Sequence, residues 1–393
     1  MPSAIDPIIK ENLEIIFKIS ERCNLKCKYC YFFFGGDDSF AKHPPTVNMD
    51  VVKSLGKFLR DAALEHGIKE INVGLHGGEP LLLKKGKFDE LCLSLREASE
   101  GAFTLRLKMQ TNGALIDDEW IALFRKHKID IGVSIDGPKE INDENRINQD
   151  GSGSYEQVTK GWFKLLDAAR EGGISGLGIL SVINPAADGA SMYRHMVDSL
   201  QCRSMNFILP TNNLDDGVSE ETIRAIGRFR ADVLDEWIRD RDYKIRVRFI
   251  YSAVAPMAFA KSARAVKGVV EDTRNLISVS SNGDVGPEDV VRTLAPRFSN
   301  MGMNISSHTL SDVVSSEQWQ EMKLAMTPPE ACSTCEWWNI CRGGRLCSRY
   351  STENGFNNKS IYCGEFKQFY ATVRNFLVDG GISSGKITSN LNA

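Results

Sequence analysis

The stretch that decides the fold is residues 14–30, which read EIIFKISERCNLKCKYC. An apolar run of strand length is followed at once by three cysteines in the spacing C-x3-C-x2-C, at Cys23, Cys27 and Cys30. Short runs rich in Ile and Phe that end in polar residues are typical of buried strands. We therefore predict a strand over Glu14–Ser20 that leads directly into a cysteine loop.

The same pattern of a short apolar run with a polar ending occurs five more times. The further candidate strands are Glu70–Leu75, Thr104–Gln110, Asp130–Ile135, Gly176–Ile183 and Arg203–Leu209. Amphipathic helices are predicted between them, over Asp50–His66, Asp117–Lys128, Tyr155–Arg170, Met192–Leu200 and Glu220–Arg241. This alternation predicts an α/β fold, and right-handed crossovers in series curl its parallel sheet into a partial (β/α)6 TIM-like barrel. The site should lie at the carboxyl ends of the strands.

Composition and charge exclude several classes of protein. The chain has 393 residues, and 48 Lys and Arg against 51 Asp and Glu give a formal charge of -3. No basic field would attract nucleic acid or an anionic membrane, and no apolar run approaches the roughly 18 residues of a spanning helix. The N-terminus does not resemble a signal peptide. We expect a cytoplasmic protein whose ten cysteines are free for metal or catalysis.

The first cysteine group limits the metal chemistry. Three thiolates cannot complete a four-coordinate structural zinc site without a distant ligand. They can bind three irons of a 4Fe–4S cube and leave the fourth iron open to a ligand. A loop of free thiols, or a zinc site with a borrowed ligand, is the alternative.

A second cysteine group lies near the C-terminus. Cys332, Cys335 and Cys341 have the spacing C-x2-C-x5-C, and Cys347 and Cys363 follow. The surrounding region is poor in aliphatic residues, so its hydrophobic core is small and a metal site or cross-link must help to stabilise its fold. Spacing alone allows a four-thiolate zinc site or a closed 4Fe–4S cube. Cys92 and Cys202, which lie in apolar surroundings, are expected to be buried small hydrophobes.

The first motif, C-x3-C-x-aromatic-C after the first strand, resembles that of the radical SAM superfamily. The resemblance extends to Gly77-Gly78-Glu79-Pro80, Gln110–Gly113 and Ser134–Pro138, which follow the next three strands. It implies a cube on Cys23, Cys27 and Cys30 with S-adenosylmethionine on the open iron. The residues it assigns to S-adenosylmethionine are Tyr29, His76, Gly77, Gly78, Glu79, Thr111, Asn112, Ser134, Asp136, Arg146 and Val182.

Within that set the resemblance gives individual roles. Glu79 would receive the methionine ammonium, Arg146 would pair with the carboxylate, and Tyr29 would lie beside the adenine. The reduced cluster would then yield a 5'-deoxyadenosyl radical that takes hydrogen from an unactivated carbon.

The C-terminal motif is similar to the SPASM extension of radical SAM peptide maturases. The similarity implies one auxiliary 4Fe–4S cluster on Cys332, Cys335, Cys341 and Cys363. That family normally has a further cysteine where Arg345 stands and two upstream cysteines, of which Glu288 occupies one position and the other has no counterpart. We therefore predict that a second auxiliary cluster is absent. Cys347 is expected to be a free thiol rather than a ligand.

Residues 30–37 and 341–363 resemble the XYE-type maturases that form three-residue cyclophanes in ribosomal peptides. The resemblance implies hydrogen abstraction from a β-carbon of a precursor peptide, addition of the carbon radical to an aromatic ring, and loss of a proton and an electron. The auxiliary cluster would accept the electron, and Glu288, Asp289 and Asp216 are candidate proton acceptors. The expected partners are the precursor peptide and a one-electron donor such as flavodoxin or ferredoxin, with no nucleic acid and no membrane.

Two groups of alternatives remain. The same cofactors serve other peptide modifications, namely a thioether bridge, epimerisation, or formation of formylglycine on a sulfatase. A non-catalytic iron–sulfur or zinc-binding module is the alternative from another class. The residues assigned to S-adenosylmethionine argue against such a module, because a cluster carrier does not need that pocket.

The predicted organisation has five parts. They are an N-terminal lead-in over 1–13, the barrel over 14–243, a bridging region over 244–275, a SPASM-type domain over 276–375 and a flexible tail over 376–393. In the fourth part, a strand at Ile277–Val279 and the turn at residues 281–284 predict a hairpin. The lead-in is too short for an appended leader-recognition domain.

Overall fold

The computed structural model describes residues 6–174, 176–259 and 274–392. The strands are β1 (Asn12–Ser20), β2 (Glu70–Gly77), β3 (Thr104–Thr111), β4 (Asp130–Ser134), β5 (Leu177–Val182), β6 (Ser204–Ile208), β7 (Arg246–Val247), β8 (Leu276–Val279) and β9 (Val285–Gly286). The first eight helices are α1 (Pro7–Glu11), α2 (Tyr31–Phe34), α3 (Met49–His66), α4 (Lys85–Ser99), α5 (Asp118–His127), α6 (Lys139–Asn145), α7 (Tyr155–Arg170) and α8 (Gly189–Arg194).

Eight more helices follow. They are α9 (Glu220–Asp240), α10 (Arg248–Ala258), α11 (Pro296–Ser299), α12 (Leu310–Ser315), α13 (Glu317–Ala325), α14 (Trp338–Cys341), α15 (Cys363–Asp379) and α16 (Ser384–Asn392). The predicted strands and crossover helices all form. The one irregularity is at Met192–Leu200, where α8 ends at Arg194 and continues as a π-helical turn over His195–Ser199.

The chain divides into two compact units. The first comprises Met1–Ile135, Asn142–Leu177 and Thr273–Lys323, and the second comprises Asp136–Ile141, Gly178–Asp272 and Leu324–Ala393. The predicted lead-in and bridging region extend into residues 1–5 and 260–273, which lie outside the described residues.

The sheet of the first unit explains where its polar residues collect. Its strands lie in the order β4-β3-β2-β1-β8-β9, all parallel except the antiparallel pair of β8 and β9. Leu13, Ile15, Phe17 and Ile19 of β1 are fully buried. Since β1 to β4 run in one direction, the residues that follow them meet at one edge of the sheet. The α/β prediction with a mostly parallel sheet is confirmed.

The helices of this unit begin and end with capping residues. Asn48 accepts a hydrogen bond from the Val51 amide at 2.9 Å, and α3 ends at Gly67, whose φ is +70°. Asp117 similarly accepts from the Trp120 amide at 2.9 Å where α5 begins. These caps satisfy backbone groups that have no partner within a helix.

The hairpin predicted in the SPASM-type domain forms, but β8 pairs with β1. Glu14 to Phe17 of β1 face Leu276 to Val279 in parallel register. The hairpin therefore belongs to the first compact unit together with β1, although the predicted domain limit at residue 276 separates the two. The five-part division itself stays a prediction.

The second unit contains β5, β6 and β7, paired in parallel in that order. Arg230 of α9 lies against the rings of Phe249, Phe366 and Phe369 at 4.8, 5.0 and 4.5 Å from their centroids. These contacts join α9, α10 and α15. No helix in the described part of the chain is long and apolar enough to cross a membrane.

The segment over 376–393, predicted to be a flexible tail, is largely helical in its described residues. Helix α15 continues to Asp379, and α16 buries Ile387, Asn390 and Leu391. The Asn390 side chain donates to the Met257 carbonyl at 2.9 Å. Although this segment is rich in Gly, Ser and Asn, it contains a short amphipathic helix, α16, which packs on the second unit.

Replacement of Ile387 tests this docking. Ile387→Ala removes a fully buried side chain and is expected to cost about 2–5 kcal/mol, which lowers the urea midpoint measured by circular dichroism. The control is Thr388→Ala on the exposed side of α16, which should change stability by less than about 0.5 kcal/mol. Equal midpoints for the two variants would mean that α16 does not pack on the protein.

Candidate functional site

The cysteine loop is held in place by the chain that follows α6. The amides of Lys26 and Lys28 donate to the carbonyls of Ile147 and Asn145 at 2.7 and 3.0 Å. The Gln149 side chain donates to the Cys23 and Leu25 carbonyls at 3.2 and 3.1 Å. The loop therefore has a fixed backbone although its three cysteines are partly accessible.

The sulfur atoms of this loop already accept hydrogen bonds from the protein. Cys23 Sγ accepts from the Leu25 amide at 3.4 Å and from the Asn112 side chain at 3.7 Å. Burial raises the pKa of the Cys23 thiol to about 12 and also raises the pKa of Cys30. The charges of Cys23, Cys27 and Cys30 act on one another, so the three sulfurs share one neighbourhood. Thiolates so placed need a cationic partner, which iron supplies.

Two glycines at the end of β2 allow the cysteine loop to approach. A Cβ on Gly77 would lie 2.0 Å from the Ser20 carbonyl oxygen, and one on Gly78 would lie 2.3 Å from that of Arg22. Gly77 also has a φ of +119°. The Gly78 and Glu79 amides donate to those two carbonyls, each at 2.8 Å. A larger residue would separate the loop from the strand end.

Glu79 connects the ends of β2 and β3. The side chain is fully buried, and it accepts hydrogen bonds from the Thr111 hydroxyl at 2.6 Å, the Asn112 amide at 2.8 Å and the Leu81 amide at 3.0 Å. Burial raises the pKa of the Glu79 carboxyl. These contacts give Glu79 a bracing role within the protein, and its predicted contact with a methionine ammonium stays a prediction.

Three more residues of the first unit that were predicted to contact S-adenosylmethionine are Arg146, Tyr29 and Ser134. Arg146 is buried and donates to the Tyr29 hydroxyl at 2.8 Å, and its charge acts on Cys30 and Glu79. Ser134, at the end of β4, accepts from the Gln110 side chain at 2.8 Å. Arg146, the residue after α6, therefore contacts Tyr29 within the cysteine loop.

Asp136 and Val182 belong to the second unit. The buried Asp136 carboxylate accepts from the Val182 amide at 2.9 Å. Gly137, the next residue, has a φ of +105° and a Cβ there would lie 2.2 Å from Met192 Sδ. Asp136 therefore holds the end of β5, and the assignment of both residues to S-adenosylmethionine stays a prediction.

A buried group of charges surrounds Asp289. Lys18 Nζ lies 3.2 Å from one carboxylate oxygen of Asp289, with the two side chains 3% and 2% exposed. The Tyr31 hydroxyl donates to the other oxygen at 3.3 Å, and His76 Nδ1 lies 3.9 Å from it. Burial lowers the pKa of His76 and of Lys18. A carboxylate and a neutral imidazole thus lie side by side, both able to accept a proton.

The two other candidate proton acceptors have different surroundings. Glu288, next to Asp289, is half-buried, and its carbonyl accepts from the Val291 and Arg292 amides. Asp216 is exposed in the second unit and caps a short turn by accepting from the Asn213 amide at 2.9 Å. Asp216 therefore has the solvated capping role of an ordinary surface carboxylate.

Lys18, His43 and Arg292 were not predicted. Arg292 is 2% exposed and donates to Asp37 at 3.0 Å and to Ser39 at 3.1 Å. His43 lies between Glu21 and Asp284, with its ring nitrogens 3.4 and 3.6 Å from their carboxylates. The only sequence signal was Lys18 within an apolar strand, because the partners are distant in sequence.

The C-terminal cysteines lie in the second unit. Cys335 and Cys363 act electrostatically on both Cys332 and Cys341. Burial raises the pKa of Cys332, and it raises that of Cys341 to about 11 although the Gly343 and Gly344 amides donate to this sulfur. Cys347 is buried, as are Cys92 and Cys202, which fits the prediction for the latter two.

Both cysteine groups fit iron–sulfur clusters by the chemistry of their donors. No group of His, Cys, Asp and Glu among the described residues is arranged to hold a single metal ion. In a cube each thiolate binds its own iron, so the sulfurs need not converge on one point. Closely grouped thiols whose sulfur atoms accept hydrogen bonds from backbone amides suit such a cluster.

His43 predicts a pH dependence of stability. The adjacent Asp284 and Glu21 raise the pKa of His43 to about 9 from 6.5, against the effect of burial. Its contribution, about 2 kcal/mol, is complete below pH 6.5 and is lost as the pH rises through 9. In urea titrations, His43→Asn should be less stable than wild type at pH 6 and similar to it near pH 10. Lys42→Met, an exposed neighbour, should follow wild type throughout; a pH-independent loss in His43→Asn would contradict the ion-pair role.

Comparison with known proteins agrees with the geometry. The family described as the Radical SAM superfamily matches residues 17–185. The chain is 25% identical over 370 residues to a cysteine-type anaerobic sulfatase-maturating enzyme of Clostridium perfringens, with 91% of this chain and 94% of that one covered. A serine-type enzyme of the same name from Klebsiella pneumoniae is 27% identical over 384 residues, with 95% and 90% covered.

A solved structure has the same fold over nearly the whole chain. Native anSMEcpe with bound AdoMet and Kp18Cys peptide has a TM-score of 0.78 and 24% identity, and the match covers 94% of this chain and 100% of that one. The family match places residues 17–185 in the Radical SAM superfamily, whose members use a 4Fe–4S cluster and S-adenosylmethionine, and the relatives and the shared fold agree with it.

Proposed function

We propose that this chain oxidises one residue of a peptide substrate and passes the released electron to a single auxiliary 4Fe–4S cluster. The observation that carries the proposal is the buried ion pair of Asp289 with Lys18, which belongs to the same compact unit as the cysteine loop. The relatives that mature sulfatases support a peptide or protein as substrate.

The cofactors supply one chemical capability. A 4Fe–4S cluster on Cys23, Cys27 and Cys30, with S-adenosylmethionine, provides a 5'-deoxyadenosyl radical that removes hydrogen from an unactivated carbon. A one-electron donor such as flavodoxin or ferredoxin would reduce that cluster. Arg146 would pair with the carboxylate of S-adenosylmethionine, and Tyr29 would lie beside its adenine.

Asp289 would accept the proton that the oxidised substrate loses. Lys18 Nζ lies 3.2 Å from one oxygen of its carboxylate, and the Tyr31 hydroxyl donates to the other oxygen at 3.3 Å, so both oxygens are oriented. His76, whose pKa burial lowers, is neutral near pH 7 and would take the proton onward.

Cys332, Cys335, Cys341 and Cys363 would hold the cluster that accepts the electron. Loss of one hydrogen atom to the radical, then one proton to Asp289 and one electron to this cluster, removes two hydrogens from the substrate in total. Glu288 and Arg345, where the SPASM pattern has cysteines, support a single auxiliary cluster.

The favoured product is a three-residue cyclophane in a ribosomal peptide. The resemblance of residues 30–37 and 341–363 to cyclophane-forming maturases supports it. In that reaction a β-carbon radical adds to an aromatic ring, which regains aromaticity after losing the proton and electron.

A second candidate is formation of formylglycine on a sulfatase. Its support is the similarity to sulfatase-maturating enzymes over more than nine-tenths of the chain. Both products need hydrogen removal from a β-carbon, a base and an electron acceptor. They differ in whether a new bond or an aldehyde results.

Co-expression with candidate precursor peptides tests the proposal. The expected product has lost two hydrogens, carries a new carbon–carbon bond by fragment-ion analysis and does not react with an aminooxy reagent. A product that reacts with this reagent on a serine or cysteine of a sulfatase peptide would establish the second candidate. Epimerised or thioether-linked products would contradict both.

Asp289→Asn tests the base. We expect at least a hundredfold less product while 5'-deoxyadenosine still forms, because the carboxylate acts after hydrogen removal. Asp216→Asn, on the exposed turn of the second unit, is the matched control and should retain wild-type turnover. Full activity in Asp289→Asn would overturn the assignment.

A further inference from the structure

Arg349 is the most deeply buried charge of the second unit that the proposed reaction does not use. Its side chain is 0% exposed. Nε, Nη1 and Nη2 are all buried, and no atom among the described residues accepts a hydrogen bond from any of them. A guanidinium stays charged at neutral pH and strongly favours a partner when it is buried.

The groups near Arg349 that can carry negative charge are thiols and not carboxylates. No carboxylate of the described residues forms an ion pair with it, and the charged groups that act on it are Cys332 and Cys341. Both are among the four cysteines proposed to hold the auxiliary cluster. The anion that this guanidinium requires is therefore supplied by the cysteine group itself.

The guanidinium of Arg349 lies where a side chain at position 343 would be, so the space depends on a glycine there. Gly343 follows Cys341 by two residues and has a φ of +80°. A Cβ there would lie 2.6 Å from Nη1 and 3.3 Å from Cζ of Arg349. The Gly343 amide, with that of Gly344, donates to Cys341 Sγ. One turn thus places two amide donors and a guanidinium beside the same sulfur.

A four-thiolate 4Fe–4S cube carries net negative charge in both of its usual oxidation states, and it becomes more negative on reduction. Donors that reach its sulfur atoms stabilise the reduced form more than the oxidised form, and hydrogen bonds to sulfur are a known determinant of cluster potential. The three nitrogen atoms of the charged Arg349 guanidinium, buried away from water, are strong donors of this kind.

We propose that Arg349 donates hydrogen bonds to the sulfur atoms of the auxiliary cluster and raises its reduction potential, so that the cluster accepts the substrate electron. The inference rests on the proposed function, in which Cys332, Cys335, Cys341 and Cys363 hold that cluster. Arg349 is a tuning residue and not a ligand, since its side chain has no group that binds iron.

Redox titration followed by EPR tests the effect on potential. The full chain with Cys23, Cys27 and Cys30 changed to Ala isolates the auxiliary signal. In this background, Arg349→Gln should make the one-electron reduction at least tenfold less favourable, or about 59 mV lower in midpoint. Arg349→Lys, which keeps the charge, should give a smaller shift.

Arg342→Gln is the matched control. Arg342 is adjacent to Cys341, but its guanidinium is half-exposed and lies 5.9 Å from the Trp338 ring centroid. The same substitution there removes a charge that solvent screens, so the midpoint should stay near wild type. Equal midpoints for wild type and Arg349→Gln, at equal iron content, would overturn the inference.

A second measurement uses the wild-type Arg349 and does not depend on the folding of a variant at that position. With arginine carrying 15N in its guanidinium, pulsed EPR of the reduced auxiliary cluster should show a 15N hyperfine coupling. The coupling should persist in Arg342→Lys and disappear in Arg349→Lys. Its absence from the wild-type spectrum would contradict the contact.

Absence of the auxiliary cluster and absence of the Arg349 contact would give different results. Zinc, or no metal, at the C-terminal cysteines of the wild-type protein would refute the auxiliary cluster and with it the proposed function. A normal auxiliary cluster without a 15N coupling and without a potential shift would refute the role of Arg349 alone.

Discussion

The close contact between the cysteine loop and the end of β2 is the constraint on which the rest of the first unit depends. The carbonyls of Ser20 and Arg22 lie where a side chain on Gly77 or Gly78 would start, at 2.0 and 2.3 Å from the missing Cβ positions. The amides of Gly78 and Glu79 convert this proximity into two hydrogen bonds. The loop that carries Cys23 is thereby fixed to the sheet, and Glu79 extends the connection to β3 through Thr111 and Asn112.

A second consequence of this arrangement is the concentration of buried charge near the site. Lys18, Glu21 and Asp289 are each 3% exposed or less, and each has a charged or polar partner. Burial of charge is unfavourable without such pairing, so the groups constrain one another. In the second unit Arg349 has the same burial without a carboxylate partner, and we relate this to the anionic cluster proposed there.

Much of the fold was predictable because its signals are local. Each parallel strand is a short apolar run that ends in a motif, so the strand ends and the residues that follow them could be named from the chain alone. The group around Asp289 could not be, because 271 residues separate it from Lys18 and no periodicity links them. The pairing of β8 with β1 could not be predicted either, because the two strands are far apart in the sequence. The Gly, Ser and Asn residues near the C-terminus are typical of a loose tail, yet Ile387 and Leu391 have the spacing of one helix face and are buried in α16.

The central claim is that Cys23, Cys27 and Cys30 hold a cluster whose open iron binds S-adenosylmethionine. EPR spectra of anaerobic, dithionite-reduced protein before and after addition of S-adenosylmethionine test it most directly. We expect the signal of this cluster to change on addition, 5'-deoxyadenosine to accumulate, and Cys30→Ala to abolish both. A spectrum that S-adenosylmethionine leaves unchanged, or zinc as the sole metal of the loop, would contradict it.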